Sequence, residues 1–240
     1  MPVNKTKFTH ILTQMCIFAQ ILMMIDTVLF DMDGLLLDTE PLWGESMLRV
    51  AGAHKIPITA DKFKETTGLR IYEVTDYWAH KYPWQGSTAQ QVADDILDDI
   101  IALSKQKGTI MPGALQALEL LNTSGFKTGL ASSSPMRMID ELLTHFNLKQ
   151  YFQIITSADV VEMGKPHPAV FLHAAKSLNS NPLQCVVLED SLNGLLAGKS
   201  ARMKVIMVPD VLNFHKPEFV LADAKLTSLV EFDLELLKAI

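Results

Sequence analysis

The chain has 240 residues, enough for a core domain with a smaller inserted domain and too many for a disulfide-stapled mini-protein. Its 21 lysines and arginines against 27 acidic residues give a net charge of −6 without a basic cluster, so we expect no nucleic-acid partner. The two cysteines, Cys16 and Cys185, are too few for a disulfide framework and predict two buried thiols in a reducing cytoplasm.

The N-terminal segment needs its own interpretation, because the stretch from Ile11 to Ile25 is almost wholly apolar and follows Lys5 and Lys7. This run is shorter than the ~20 apolar residues of a spanning helix, and it lacks a small-residue cleavage site. We interpret residues 1–24 as an extension appended to a compact domain that starts at Met24, and we expect no membrane partner. A loosely docked helix or a weak membrane anchor is the alternative.

Apolar runs and helical periodicity then follow one another along the chain. The first strand is predicted at 27–31, and only helices follow it up to about residue 108, at 42–53, 71–81 and 90–107. Beyond Pro112, short apolar runs alternate with helical segments. The later strands are predicted at 127–131, 154–156, 185–188 and 204–208, and the later helices at 113–122, 136–146, 167–178 and 192–201.

Strands that alternate with helices are typical of a parallel α/β sheet with right-handed connections. We therefore predict an α/β fold, a Rossmann-like parallel sheet core with an inserted helical cap domain. Residues 25–40 and 109–240 are predicted to form the catalytic core, and residues 41–108 the helical cap.

Polar side chains follow four successive strands of this predicted sheet. The motifs are Asp31-Met32-Asp33-Gly34, Ser132-Ser133-Ser134, Gly164-Lys165-Pro166 and Glu189-Asp190. Because ligands of open α/β sheets bind at the carboxyl ends of the strands, we expect these four motifs to converge on one edge.

The converging residue types suit phosphoryl transfer. Carboxylates at one point, such as those of Asp31 and Asp190, repel each other unless a cation lies among them, and oxygen ligands of this kind select Mg²⁺. On the opposite side, Lys165, the Ser132 hydroxyl and the backbone N–H of Ser133 would form a phosphate cradle. Carboxylates with Mg²⁺ facing a lysine and a hydroxyl are the parts that phosphoryl transfer needs.

Each motif alone also has an ordinary structural interpretation. An Asp-x-Asp pair is often a turn, and a serine run before Met136 or the pair Asp190-Ser191 is often a helix cap. Their joint placement at four strand ends favours the functional interpretation.

The four motifs also carry a family resemblance. In order and spacing, Phe30-Asp31-Met32-Asp33-Gly34, Ala131-Ser132, Lys165-Pro166 and Glu189-Asp190 resemble the motifs of the haloacid-dehalogenase-like hydrolase superfamily. The resemblance covers nearly all of residues 25–210. The insert after Asp38-Thr39-Glu40 resembles the helical cap of the β-phosphoglucomutase-like subgroup.

The resemblance implies a role for each matching residue. Asp31 would be the nucleophile that forms an aspartyl-phosphate, and Asp33 the general acid and base. Ser132, Ser133 and Lys165 would bind the phosphoryl group of the substrate.

The resemblance also implies a metal site. Asp31, the backbone carbonyl of Asp33 and Asp190 would ligate Mg²⁺, with Glu189 binding it through water.

Two residues of the predicted cap are candidate substrate-binding residues. Trp43 would offer an apolar face to a sugar, with core packing as the alternative. Arg70 would offer a charged fork to the hydroxyls or phosphate of the substrate, with a solvated surface arginine as the alternative.

The sequence therefore predicts a monomeric, cytoplasmic, Mg²⁺-dependent phosphatase whose partners are small phosphorylated metabolites, namely sugar or polyol phosphates. A sugar phosphomutase of the same subgroup is one alternative, although the mutases carry a histidine at the position that matches Trp43. A non-catalytic sugar-phosphate-binding protein is the other, and the intact Asp31, Asp33, Lys165 and Asp190 argue against it.

Overall fold

The computed structural model describes residues 24–66 and 69–240. In this part of the chain, one six-stranded parallel sheet has the strand order β3-β2-β1-β4-β5-β6. The strands are β1 (Thr27–Phe30), β2 (Lys127–Ser132), β3 (Ile154–Ser157), β4 (Cys185–Glu189), β5 (Lys204–Met207) and β6 (Ala224–Lys225). The predicted Rossmann-like parallel sheet is confirmed.

Helices cover both faces of the sheet and form an insert after β1. The insert helices are α1 (Glu40–Ala53), α2 (Ala60–Phe63), α3 (Ile71–Lys81) and α4 (Ala89–Lys107). The remaining helices are α5 (Ala114–Thr123), α6 (Met136–His145), α7 (Ala169–Ser177), α8 (Leu192–Ser200) and α9 (Leu234–Ala239). We call the region with α1–α4 the helical insert.

The helical insert has an apolar cluster of its own, centred on the fully buried Trp78. Two further clusters lie on the two faces of the sheet. The two connections between insert and sheet run side by side, since the Asp38 N–H donates to the Thr109 carbonyl (2.9 Å) and the Met111 N–H donates to that of Leu36 (2.9 Å). The insert helices begin and end within a residue of the predicted limits 41–108, while the division into two domains stays a prediction.

Three elements were absent from the sequence expectation. The single-turn helix α2 and the two-residue strand β6 are too short to carry a periodic pattern. Helix α9 is a six-residue helix whose start is marked by Asp233, whose side chain accepts from the Leu236 N–H at 2.8 Å.

The predicted roles of residues 1–24 and of Cys16 concern residues that lie outside the described part, Met24 excepted. Across residues 24–66 and 69–240, no helix is both long enough and apolar enough to cross a membrane. Cys185 is buried with a free thiol, as predicted.

Candidate active site

Asp31 and Lys165 form the centre of the site. The sheet register places Phe30 beside Leu130 of β2 and Leu188 of β4, so the carboxyl ends of three strands are level, and Asp31 follows directly. Lys165 Nζ donates to Asp31 Oδ1 at 2.6 Å and to Glu189 Oε1 at 2.6 Å. One buried lysine thus bridges two buried carboxylates from neighbouring strands.

The charged forms of Asp31 and Lys165 depend on burial and on each other. Burial raises the pKa of the Asp31 carboxyl, and the nearby carboxylates of Glu189 and Asp33 raise it further, against the effect of Lys165. Burial disfavours the charged form of Lys165, yet the pKa of Lys165 is raised because the carboxylates of Asp31 and Glu189 outweigh that effect. Lys165 therefore remains protonated and holds the two acids together.

Lys165 has all three donor hydrogens directed at protein acceptors. The third goes to the Ala131 carbonyl at 2.9 Å, and the ammonium lies 4.7 Å from the centre of the Phe171 ring. A phosphate oxygen that contacts Lys165 directly has to replace one of these acceptors.

Glu189 organises the turn after β4 rather than facing the pocket with free oxygens. Its Oε2 accepts from the backbone N–H of Asp190 (3.0 Å) and of Ser191 (3.0 Å) and from the Ser191 hydroxyl (2.9 Å). Both carboxylate oxygens of Glu189 are therefore already hydrogen-bonded to the protein.

Gly194, in the first turn of α8, makes room for the Glu189 carboxylate. A Cβ on Gly194 would lie 1.8 Å from the carboxylate carbon of Glu189. We expect Gly194→Ala to destabilise the fold by about 2 kcal/mol or more, because the buried carboxylate has to move. Thermal unfolding checks this against Gly44→Ala, where a Cβ meets nothing within 4 Å. Equal melting temperatures for the two variants would contradict this packing argument.

Asp190 differs from its neighbours because no donor among the described residues reaches its carboxylate. Carboxylate oxygens of Asp31, Glu189 and Asp190 lie within 4.8 Å of one another. Burial raises the pKa of Asp190 well above its usual range, and the carboxylates of Glu189, Asp31 and Glu40 raise it further. An unpartnered carboxylate beside two others, with oxygen donors only, fits a hard divalent cation.

Asp33 is held by three donors from different parts of the chain. Its Oδ1 accepts from the Thr39 hydroxyl (2.5 Å) and from the indole Nε1 of Trp43 (3.2 Å), and its Oδ2 accepts from the Ser134 hydroxyl (2.6 Å). Thr39 and Trp43 lie at the start of the helical insert, and Ser134 lies after β2. Asp33 is therefore the acid that connects the insert to the sheet.

The serine run after β2 belongs to the site and does not cap the next helix. The Ser132 hydroxyl accepts from the Ser134 N–H at 3.1 Å, and Ser132 and Ser133 line the pocket. The N–H of Met136 in α6 is instead satisfied by Asp159 Oδ2 at 2.8 Å. Ser191 does cap its helix, since it accepts from the Gly194 N–H at 3.0 Å.

A pocket of about 480 Å³ joins these residues to the helical insert. Trp43 lines it beside Asp33, and its contact with a substrate stays a prediction. Its other insert walls are mainly apolar, formed by Met47, Leu69, Ile71 and Val74.

Arg70 also lines the pocket, and its donors reach acceptors of the protein itself. Its Nε and Nη2 pair with Glu73 Oε1 at 2.9 and 2.5 Å. Nη1 and Nη2 donate to three backbone carbonyls of the loop after β3. The substrate contact expected for Arg70 from the sequence stays a prediction.

The sequence analysis did not predict three groups of the site: the hydroxyl of Thr39, the hydroxyl of Ser134 and the side chain of Glu40. Thr39 stands at the N-cap of α1, but its hydroxyl bonds Asp33 instead of the helix. Glu40 lines the pocket, where partial burial and then the charges of Asp33 and Glu189 raise its pKa. Thr39 and Glu40 lie only a few residues after the first motif, and this proximity is the feature of the sequence that could have indicated their place in the site.

Fold and site together define an α/β enzyme with an acidic, lysine-bridged centre at the carboxyl ends of parallel strands. The chain belongs to the haloacid dehalogenase-like hydrolases, whose family model matches residues 25–202.

Three known proteins illustrate the similarity. Hexitol phosphatase B of Escherichia coli (strain K12) is 42% identical over 204 residues, which cover 85% of this chain and 92% of that protein. The phosphorylated carbohydrates phosphatase of Thermotoga maritima is 32% identical over 189 residues, covering 76% and 84% of the two chains. The crystal structure of β-phosphoglucomutase from Clostridium difficile superposes with a TM-score of 0.76 at 25% identity, covering 90% of this chain and 96% of that one. The resemblance to the superfamily and its β-phosphoglucomutase-like subgroup is confirmed.

Proposed function

We propose that this protein is a Mg²⁺-dependent phosphatase that hydrolyses small sugar or polyol monophosphates, such as 2-deoxyglucose 6-phosphate or hexitol phosphates. One observation carries the proposal: Asp31, bridged to Glu189 by Lys165, lies beside the unpartnered carboxylate of Asp190 at a pocket that the insert also lines. The name of the Escherichia coli relative supports the substrate class. A cytoplasmic location and a monomeric state remain predictions from the sequence.

In the first step, a carboxylate oxygen of Asp31 forms a bond to phosphorus while the bond from phosphorus to the sugar oxygen breaks. Protonated Asp33 gives its proton to the departing oxygen, so the sugar leaves as a neutral alcohol. Ser132 and Ser133 bind the oxygens of the transferred group. The positive charge of Lys165 reduces the repulsion between the Asp31 carboxylate and the phosphate.

In the second step, water hydrolyses the aspartyl-phosphate on Asp31. Ionised Asp33 takes a proton from that water as it attacks, which releases inorganic phosphate and regenerates the Asp31 carboxylate. The hydroxyls of Thr39 and Ser134 can both donate and accept hydrogen bonds, so they can hold Asp33 in either protonation state.

Mg²⁺ would be held by oxygen ligands, namely the carboxylates of Asp31 and Asp190 and the backbone carbonyl of Asp33. Glu189 would bind it through water, because both of its carboxylate oxygens already accept hydrogen bonds from the protein. When bound, Mg²⁺ supplies positive charge that reduces the repulsion between the nucleophile and the phosphate.

The hydrogen bonds and the ion pair of Arg70 favour hydrolysis over a mutase reaction. A mutase that moves phosphate between two hydroxyls of one sugar passes through a sugar bisphosphate and has to bind the distal phosphate. Among the described insert residues that line the pocket, Arg70 is the only cation, and it is already paired with Glu73 and backbone carbonyls. The insert is therefore better suited to a neutral sugar or polyol as the leaving group.

A phosphate-release assay tests the proposed function. Purified protein is incubated with a panel of sugar and polyol monophosphates, with Mg²⁺ or with EDTA. We expect release of phosphate that depends on Mg²⁺. Faster conversion of a hexose 1-phosphate to the 6-phosphate than release of phosphate would identify a mutase, and binding without turnover would identify a non-catalytic protein.

Trp43 can be tested with a pair of variants that separate its indole N–H from its ring. Trp43→Phe keeps an aromatic face but removes the donor to Asp33, so we expect kcat to fall about tenfold with discrimination among sugar phosphates retained. Trp43→Ala loses the face as well and should also lose discrimination. The measurement is kcat/KM over the same panel of substrates. A Trp43→Phe enzyme with wild-type kcat would show that the hydrogen bond to Asp33 is not needed.

A further inference from the structure

We propose that Arg70 is a positioning residue that couples the helical insert to the catalytic lysine. It would do so by fixing the loop between β3 and Lys165, which we call the 158–164 loop. The inference rests on the proposed function, because it concerns how Lys165 is held for that chemistry. It assigns Arg70 to the loop that delivers Lys165, in place of the substrate contact expected from the sequence.

The guanidinium of Arg70 contacts three carbonyls of the 158–164 loop. Nη1 donates to the carbonyls of Ala158 (3.3 Å) and Val161 (3.2 Å), and Nη2 donates to that of Glu162 (3.2 Å). In the described part of the chain, no other donor reaches the carbonyls of Val161 and Glu162. A planar fork with several fixed donors suits this task better than a single ammonium group would.

The aliphatic part of Arg70 packs against the end of the same loop. A Cβ on Gly164 would lie 3.3 Å from both Cγ and Cδ of Arg70, so the side chain lies directly over the residue before Lys165. The start of the loop is fixed independently, because the Ser157 hydroxyl donates to the Ser134 carbonyl (2.7 Å) and accepts from the Asp159 N–H (3.0 Å). Arg70 therefore orders the part of the loop that the sheet leaves unsupported.

Arg70 itself is oriented from within the insert. Glu73, in the first turn of α3, accepts from the Arg70 backbone N–H at 2.9 Å and pairs with the Arg70 side chain. The path then runs from α3 through Arg70 and the 158–164 loop to Lys165, which bridges Asp31 and Glu189. An insert that moves off the sheet would release this loop and so loosen the lysine.

Arg70→Ala and Arg70→Lys test the inference, with Arg49→Ala as the matched control. Arg49 is a second insert arginine, but it pairs with Asp99 inside the insert, at 2.6 Å. The assays are kcat and KM for 2-deoxyglucose 6-phosphate and for acetyl phosphate, which has no sugar to bind. Amide hydrogen exchange of the 158–164 loop is measured in parallel.

For Arg70→Ala we expect kcat to fall about tenfold on both substrates, KM to change little, and exchange in the loop to accelerate. Arg70→Lys should recover only part of kcat, and Arg49→Ala should behave as wild type. A raised KM for the sugar phosphate, with acetyl phosphate turnover and loop exchange unchanged, would overturn the inference in favour of substrate binding. If the wild type is active and both Arg70 variants keep the wild-type kcat, the inference about Arg70 is wrong while the proposed function stands. A wild type that releases no phosphate from any ester overturns the proposed function, and this inference with it.

Discussion

Asp31→Asn is expected to abolish phosphate release while the fold is retained. The substitution conserves volume and removes only the negative charge that attacks phosphorus, so turnover should fall by about 10³-fold or more. Lys165 keeps Glu189 as an ion-pair partner in this variant, so the buried cation is not left unpaired. Phosphate release and circular dichroism together provide the measurement.

Asp26→Asn is the control for that experiment. Asp26 precedes the same strand at the end opposite to Asp31, where it pairs with Lys127 at 3.5 Å, and it does not line the pocket. It should turn over substrate like the wild type. Near-wild-type phosphate release by Asp31→Asn would show that Asp31 is not the nucleophile and would remove the covalent mechanism.

Lys165→Met should combine loss of activity with a metal-dependent loss of stability. The variant leaves Asp31, Glu189 and Asp190 close together without their buried cation, which we expect to cost about 3–5 kcal/mol in EDTA. A bound divalent cation offsets the same repulsion, so Mg²⁺ should raise the Tm of Lys165→Met by more than it raises that of the wild type. Thermal unfolding with EDTA and with Mg²⁺ measures both quantities.

Lys127→Met is the control for Lys165→Met, because it removes a lysine that is not buried. Lys127 is partly exposed and pairs with Asp26, so its removal should cost less than about 1 kcal/mol and should not depend on Mg²⁺. If Mg²⁺ shifts the Tm of Lys165→Met and of the wild type equally, the three carboxylates do not form the metal site.

Much of the fold could be predicted because its elements carry strong local patterns. The prediction for α3 matches the observed Ile71–Lys81, and five predicted strands lie within one residue of β1 to β5 at each end. Helix α2 and strand β6 escaped because a single turn or two residues show no periodicity. Their positions depend on packing against the rest of the insert and of the sheet.

The residues at the centre of the candidate site could be predicted from the positions of the strands, whereas the hydrogen bonds that orient them could not. Asp31, Lys165, Glu189 and Asp190 come together because each lies at or after the carboxyl end of a strand, and parallel strands end at a common edge. The hydrogen bond from Ser134 to Asp33 spans 101 positions, and that from Arg70 to Ala158 spans 88. No local pattern carries such pairings.

The order of strands along the chain already indicates the class of chemistry, because it places carboxylates, serines and a lysine at one edge of the sheet. How each of these groups is used depends on contacts between distant parts of the chain. Tertiary packing directs the Arg70 fork to backbone carbonyls and brings the Trp43 indole to Asp33, and within residues 24–66 and 69–240 it gives the Asp190 carboxylate no donor. These choices depend on how the helical insert packs on the sheet, because a polar side chain bonds whichever partner that packing brings within about 3 Å.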